Sequence, residues 1–301
     1  MSDEQLKAFR REIDRIDDAL IELLNERAEV ALKVGALKRS VSAEPVFLRP
    51  GREAEVLRRL AGRADNKFPA AVIARLWREI ISATLRLETP YKISVFEPEP
   101  RIEGLSYLAL ARAYFGVEST LKPARTEAGV LRAIRDGWAS IGVLPVPVDE
   151  LPGEVPKEPW WVTLASAGDQ RPNIVIRLPW LPTPVDGPQG LAALAVARAP
   201  TEPSGDDLTL VALETVDQTS RNRIQGAFRD AGLELAGAAG WQMPADQTVR
   251  WTLVELVGYL EESDSRLATA GAALGNALRK LVRLGAYARP PLGGGLSPAT
   301  A

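Results

Sequence analysis

One stretch decides the fold of the N-terminal part, residues 4–39, which read EQLKAFRREIDRIDDALIELLNERAEVALKVGALKR. It contains no proline, and its one glycine is Gly35. Apolar residues recur in steps of three and four, a spacing typical of one face of a long helix. Such a helix measures about 50 Å at 1.5 Å per residue, so it needs a partner to pack against. The apolar seam consists of Leu6, Phe9, Ile13, Ile16, Leu20, Leu23, Val30, Val34 and Leu37.

Two shorter helices are predicted after this one. Pro45 and Pro50 interrupt the pattern, and a short helix is expected over residues 51–63. A third helix is expected over residues 69–88, and Pro90 ends it. The sequence therefore predicts an all-α, three-helix first domain over residues 1–91. The residues expected to face inward from the third helix are Val72, Leu76, Ile80 and Leu87.

The remainder of the chain predicts a different fold class, so the protein is expected to be multidomain. Residues 92–146 alternate strand and helix as βαβαβ, the pattern of a parallel α/β sheet, and we assign residues 92–205 to this α/β region. Residues 206–290 predict a βαββαβ order, which is the α+β ferredoxin-like arrangement. The tail 291–301 is rich in glycine, proline and serine and is expected to be disordered.

The ferredoxin-like segment is predicted in detail. Its first helix is expected to be capped by Thr219, whose hydroxyl would bond to the first turn. The predicted elements are strand 207–214, helix 219–232, strands 233–241 and 250–258, helix 265–284 and strand 286–289.

Composition excludes several classes of function. The 301-residue chain has no cysteine and no histidine, which removes thiolate chemistry, disulfides, imidazole ligands and Ser-His nucleophiles. The net charge of −2 argues against a general nucleic-acid binder. No apolar run approaches the roughly 18 residues of a membrane span, and the N-terminus lacks a secretory pattern. We therefore expect a cytoplasmic protein whose chemistry uses charge and shape.

Charged residues on the apolar seams are the candidate functional groups. Arg27 interrupts the long seam, while Arg10 and Lys38 lie at its edge. A buried charge is costly unless it is paired, so a structural salt-bridge network is one interpretation. The whole set carries an excess of positive charge, which favours the alternative, a site for a small dianion. The other members of the set are Arg52, Glu53, Thr84 and Glu88.

Residues 6–90 resemble the all-helical, type II chorismate mutases, especially the mutase domain that is fused to prephenate dehydratase. The register holds across the segment with about one inserted residue near Phe47. The matching stretches are Arg10–Asp17 (RREIDRID), Leu23–Arg27 (LLNER), Val34–Lys38 (VGALK), Pro45–Val46, Arg49–Ala54 (RPGREA) and Ile80–Glu88 (IISATLRLE).

This resemblance implies a homodimer that shares its active sites and rearranges chorismate to prephenate without cofactor or metal. It implies that Arg27 binds one substrate carboxylate and that Arg10 reaches the other from the partner subunit. Lys38 and Glu88 are implied to lie beside the breaking ether oxygen, so that Lys38, Glu88 and Arg27 are the catalytic residues. The other implied substrate contacts are Glu53 to the ring hydroxyl, Thr84 near a carboxylate and Arg52 as a supporting cation.

The chain departs from the family pattern at one place near the proposed site. The family often has an aspartate shortly before the Arg-Glu pair, where this chain has Leu48 and Arg49. The rearrangement is unimolecular and pericyclic, so it needs no nucleophile. Catalysis requires selecting a compact conformer and placing cations where negative charge develops on the ether oxygen.

The rest of the chain resembles, more weakly, a degenerate prephenate dehydratase and its ACT regulatory domain. The resemblance rests on residues 107–116 (YLALARAYFG), 133–145 (AIRDGWASIGVLP) and 284–287 (LGAY). The dehydratase's Thr-Arg pair occurs nowhere in the chain, so we expect a non-catalytic region with a regulatory or structural role. Three alternatives stay open: a bifunctional mutase–dehydratase, a non-catalytic amino-acid-sensing scaffold, and an unrelated α/β module.

Overall fold

The computed structural model describes residues 3–42, 46–63, 67–99, 106–149, 157–168, 170–180, 191–216, 219–242 and 248–291. Their contacts divide the chain into two compact units. The helical unit comprises Met1–Leu48 and Ile80–Pro90, and the sheet unit comprises Arg49–Glu79 and Tyr91–Ala301. The chain thus has a helical N-terminal part followed by a part built on a sheet, as the sequence predicts.

The helical unit is built on α1 (Asp3–Val41), a continuous helix of 39 residues. Gly35 is its one buried residue, and the apolar seam faces outward, with exposed fractions from 37% at Leu6 to 63% at Leu37. The second half of α3 (Ala70–Glu88) completes this unit. In the single chain the predicted seam therefore has no cover among the described residues. The same holds for residues that the sequence predicts to face inward from α3, Val72, Leu76 and Leu87.

Helix α2 (Pro50–Ala61) belongs to the sheet unit. Pro50 stands at its first turn, where a missing N–H costs no helical hydrogen bond. Arg58 fastens the helix, because its guanidinium donates to the carbonyl oxygens of Ser204 and Asp206, both at 2.8 Å, and of Arg289 at 3.0 Å. These three charge-assisted hydrogen bonds hold α2 firmly on its unit.

The first part of the sheet is parallel. Strands β1 (Lys92–Phe96), β2 (Thr120–Ala124) and β3 (Ile141–Pro145) pair in the order β2-β1-β3, and the helices α4 (Tyr107–Phe115) and α5 (Glu127–Arg135) connect them. Strand β5 (Ala193–Ala197) then pairs antiparallel with β3, and β4 (Asn173–Leu178) with β5. The sequence did not predict β5 or the short helix α6 (Trp160–Ser166).

The second part of the sheet has the predicted βαββαβ order. Its strands pair antiparallel in the order β9-β6-β8-β7. The elements are β6 (Asp207–Val216), α7 (Arg221–Asp230), β7 (Leu235–Gln242), β8 (Val249–Val257), α8 (Ser265–Leu274) and β9 (Leu278–Ala288).

Three details of this part differ from the prediction. Helix α8 ends at Leu274, because Gly275 adopts a φ of 55° that terminates it. The following residues form an eleven-residue strand instead of continuing the predicted helix. The cap of α7 is Ser220, whose hydroxyl accepts from the Arg223 N–H at 3.2 Å, and not Thr219. The predicted disordered tail lies outside the described residues from residue 292 onward.

A single close approach joins the two parts into one nine-stranded sheet, ordered β2-β1-β3-β5-β4-β9-β6-β8-β7. Strands β4 and β9 meet where Ile174 faces Gly285, which has a φ of 146°. A Cβ atom at Gly285 would lie 2.1 Å from the Ile174 carbonyl oxygen, so only glycine fits there. Among the described helices, none has both the length and the apolarity that crossing a bilayer requires.

Candidate active site

Two helices of the helical unit bring four of the predicted site residues together. Arg27 and Lys38 lie on α1, eleven residues or about three helical turns apart. Thr84 and Glu88 lie one turn apart on α3. Both pairs therefore project from one face of their own helix. The spacing of three and four residues that places apolar side chains on one face of each helix also places these four polar residues on or beside that face.

Arg27 is held by Thr84. Its Nη1 donates to Thr84 Oγ1 at 2.6 Å, and Thr84 Oγ1 in turn donates to the Ile80 carbonyl oxygen at 2.7 Å. Burial lowers the pKa of Arg27, and the negative charge of Glu88 opposes that shift. The guanidinium is therefore oriented and partly stripped of water, which is the state in which it binds a carboxylate most strongly.

Lys38 and Glu88 form a loose pair. The Lys38 Nζ lies 3.7 Å from Glu88 Oε2, beyond hydrogen-bonding distance, and their side chains are 24% and 13% exposed. Glu88 Oε2 is buried and has no hydrogen-bond partner among the described residues. A buried acceptor of this kind can take a hydrogen bond from a water molecule or from a ligand group.

Gly35 and Arg39 hold Glu88 in place. A Cβ atom at Gly35 would lie 3.3 Å from Glu88 Cγ, so the glycine lets the carboxyl side chain approach α1. Arg39 Nη1 donates to the Glu88 carbonyl oxygen at 2.8 Å, which satisfies an acceptor at the C-terminal end of α3. Sequence reasoning missed both roles. The only signal for Arg39 is its place in the last turn of α1, where cations are favourable.

Electrostatically, this cluster is cationic. Lys38 pairs with the Glu88 carboxyl group, Arg27 interacts with its charge, and Arg39 bonds to the main-chain carbonyl oxygen of Glu88. Such an excess stabilises a small ligand that carries more than one negative charge. Oriented cations of this kind can bind a ligand, fix its orientation and stabilise negative charge that develops on it.

Arg10 does not join this cluster in the single chain. It is exposed on α1, seventeen residues before Arg27, which is about 25 Å along the helix axis. A straight helix cannot bring both guanidinium groups to one small ligand. If Arg10 contacts the ligand, it does so from another chain.

Arg52 and Glu53 lie in the sheet unit. Arg52 is exposed and donates to Glu55 at 2.8 Å, one turn along α2. Glu53 is buried, and its Oε2 accepts from Arg78 Nη1 at 2.7 Å. The sequence did not predict Arg78 as its partner, because the two residues are 25 positions apart and only tertiary packing joins them.

Arg78 is itself firmly held. It donates to the Tyr114 carbonyl oxygen at 3.1 Å, and its guanidinium lies 3.8 Å from the centroid of the Tyr114 ring. Burial acts to lower the pKa of Arg78, but Tyr114 and Glu53 together outweigh it and raise the pKa. Glu53 therefore completes a buried ion pair in this structure, and its contact with a substrate hydroxyl stays a prediction.

The chain is similar to known proteins over part of its length. Residues 9–89 match the family model of type II chorismate mutases, which confirms the resemblance of the helical part. The bifunctional chorismate mutase/prephenate dehydratase of Pseudomonas aeruginosa is 38% identical over 146 residues, 48% of this chain and 39% of that protein. The Aquifex aeolicus protein of the same name is 33% identical over 148 residues, again 48% and 39%.

The chain thus spans about two fifths of the length of these curated relatives. Their aligned stretches are longer than the 81 residues from 9 to 89, so the sequence similarity extends beyond the family model.

Solved structures give a more distant likeness. A protein described as "GqqA- a novel type of quorum quenching acylases" is 21% identical with a TM-score of 0.48, covering 66% of this chain and 96% of that one. Prephenate dehydratase of Arthrobacter aurescens in complex with L-Phe is 16% identical with a TM-score of 0.46, covering 69% and 93%. A likeness with TM-scores this low does not bear on the function of this chain.

Proposed function

We propose that the chain is a chorismate mutase, an isomerase that rearranges chorismate to prephenate in phenylalanine and tyrosine biosynthesis. One observation carries the proposal. The segment that matches the type II family is the segment in which Arg27, Lys38, Thr84 and Glu88 come together. Their excess of positive charge suits chorismate, which has two carboxylates. No cofactor or metal enters the reaction, and we expect the protein to work in the cytoplasm.

The reaction breaks one C–O bond and forms one C–C bond within a single molecule, so atoms and electrons balance without a co-reactant. Arg27 binds one carboxylate, and Arg10 of a partner subunit binds the other, which favours the compact chair conformer. Lys38 donates to the ether oxygen as negative charge develops there. Glu88 contacts the substrate beside the same oxygen. Its unpartnered Oε2 supports such a role.

In this proposal, two copies of the chain form a homodimer and share their active sites. The support is the outward-facing apolar seam of α1, which carries exposed residues along its length. A contiguous apolar stripe of this length marks an interface, because its exposure to water is unfavourable. A second copy supplies a matching stripe, and it also supplies the Arg10 that the cluster lacks.

We assign the sheet unit no catalytic role. The chain has no Thr-Arg pair, which the dehydratase requires in the family that this region resembles. The βαββαβ order of β6 to β9 supports an ACT-type regulatory or structural domain. The arrangement by itself does not identify an effector, since folds of this kind serve many functions.

The test is incubation of the purified full chain with chorismate, followed by chromatographic separation of prephenate from phenylpyruvate. We expect enzymatic prephenate and no phenylpyruvate above the spontaneous background. A protein with Arg27→Ala serves as the control for contaminating mutase. Equal rates for this variant and the wild type would refute the assigned site, and absence of prephenate from a folded dimer would refute the function.

A further inference from the structure

An aromatic residue, Phe47, lies close to the Lys38 ammonium group. The Lys38 ammonium has the Glu88 carboxyl at 3.7 Å, and the aromatic ring of Phe47 lies with its centroid 5.4 Å from the Nζ atom. Phe47 is half-buried. Within this distance, the negative face of an aromatic ring attracts a cation.

The same ring meets a second cation. The Arg39 guanidinium carbon lies 5.9 Å from the Phe47 centroid, and Arg39 also donates to the Glu88 carbonyl oxygen. Two consecutive basic residues of α1 thus converge on one ring. Arg39 connects the ring to the end of α3, and Lys38 is close both to the ring and to the carboxyl group of Glu88.

We propose that Phe47 is a positioning residue for the proposed rearrangement, and that Arg39 anchors it. The ring holds the Lys38 ammonium where it meets the ether oxygen, and this inference rests on the function proposed above. A lysine side chain has four rotatable carbon–carbon bonds and loses much freedom when it is fixed. Fixing it before the substrate arrives removes that cost from the chemical step.

The chemistry of the ring suits this task better than a carboxylate would. A carboxylate next to Lys38 would form a full ion pair and compete with the ether oxygen for its protons. An aromatic face attracts the ammonium and accepts no conventional hydrogen bond, so the N–H groups stay available. Glu88 forms a loose ion pair with Lys38, and at 3.7 Å its carboxyl oxygen is too far away to accept a hydrogen bond from the ammonium.

The experiment compares the steady-state kinetics of the full-length wild type with those of Phe47→Leu, Phe47→Met and Phe47→Tyr. Leucine and methionine keep the apolar volume without an aromatic face, whereas tyrosine keeps the face. We expect kcat to fall roughly fivefold to tenfold for leucine and methionine, with KM changed less than about twofold. Tyrosine should keep kcat within about twofold of the wild type.

Phe96→Leu is the matched control, because Phe96 is also half-buried but packs against Tyr107 in the sheet unit, with ring centroids 5.4 Å apart. We expect its kcat to equal that of the wild type. A wild type that does not convert chorismate overturns the proposed function and this inference with it. With an active wild type, three results overturn the inference alone: an unchanged kcat in Phe47→Leu and Phe47→Met, a raised KM at constant kcat, or an equal loss in Phe47→Tyr.

Folding defects are separated from positioning by two further measurements on each variant, the thermal midpoint and the molecular mass by light scattering. Arg39→Gln should lower kcat in the same direction, because it releases both the ring and the Glu88 carbonyl oxygen. Arg112→Gln, an exposed arginine of α4, is its control and should leave kcat unchanged. If Arg39→Gln and Arg112→Gln have the same kcat, the anchoring role is refuted.

Discussion

Replacement of Arg27 by alanine separates binding from folding in this protein. In the wild type, Arg27 is half-buried and makes one hydrogen bond, at 2.6 Å, to Thr84 Oγ1. Its removal leaves no orphaned hydroxyl, because Thr84 still donates to the Ile80 carbonyl oxygen at 2.7 Å. The loss of one hydrogen bond from a charged group costs about 1.5–3 kcal/mol. The better helix propensity of alanine and the removal of a half-buried charge offset part of this cost.

The effect on the reaction should be much larger. Loss of a desolvated, charge-assisted contact to a substrate carboxylate costs roughly 3–5 kcal/mol. At about 1.4 kcal/mol per factor of ten, this corresponds to a fall in kcat/KM of roughly 10²- to 10⁴-fold. The free energy of unfolding should fall by less than about 2 kcal/mol.

The assay is continuous consumption of chorismate by wild type and Arg27→Ala, combined with urea unfolding of both proteins. Arg15→Ala is the matched control, since Arg15 lies on the same helix but is exposed and bonds to Glu12 at 2.8 Å. We expect its activity to be unchanged. The reasoning is refuted if Arg27→Ala keeps most of its kcat/KM, or if it loses stability in proportion to its activity.

Three further predictions test the dimer, the site and the sheet. Mixing inactive Arg10→Ala with inactive Arg27→Ala should restore part of the activity, because one kind of heterodimer site is intact; no recovery after verified subunit exchange would contradict the shared site. Gly35→Ala should favour the helix by up to about 1 kcal/mol yet lower kcat, because the new Cβ lies 3.3 Å from Glu88 Cγ. In the control Gly226→Ala, the nearest atom to the new Cβ lies 3.8 Å away. An equal kcat in both variants would show that contact between the new Cβ at position 35 and Glu88 does not affect the reaction. Gly285→Ala should destabilise the chain by more than about 3 kcal/mol in urea unfolding, whereas Gly258→Ala, also at positive φ but with open space, should cost only about 1–2 kcal/mol. Equal losses would show that the approach to Ile174 is not what requires glycine.

Local patterns in the sequence were sufficient for much of this protein. The spacing of apolar residues predicts α1 almost to its ends, because helix periodicity is a property of the nearest turns. The same spacing places Arg27 and Lys38 on one stripe and Thr84 and Glu88 on another. The order of elements from β6 to β9 also follows from local pattern. Boundaries were less well predicted where a glycine alone changes the backbone, as Gly275 does after α8.

Tertiary structure alone decided which partners these residues meet. The sequence predicts that Glu53 lies on the apolar seam of its helix. It does not predict that Arg78, 25 positions away, pairs with it. Likewise, no spacing rule brings Phe47 to Lys38 and Arg39, or Gly285 against Ile174. The physical reason is that periodicity acts over one or two helical turns, whereas a buried charge, a close-packed ring or a strand junction depends on which distant segments the folded chain brings within a few ångströms.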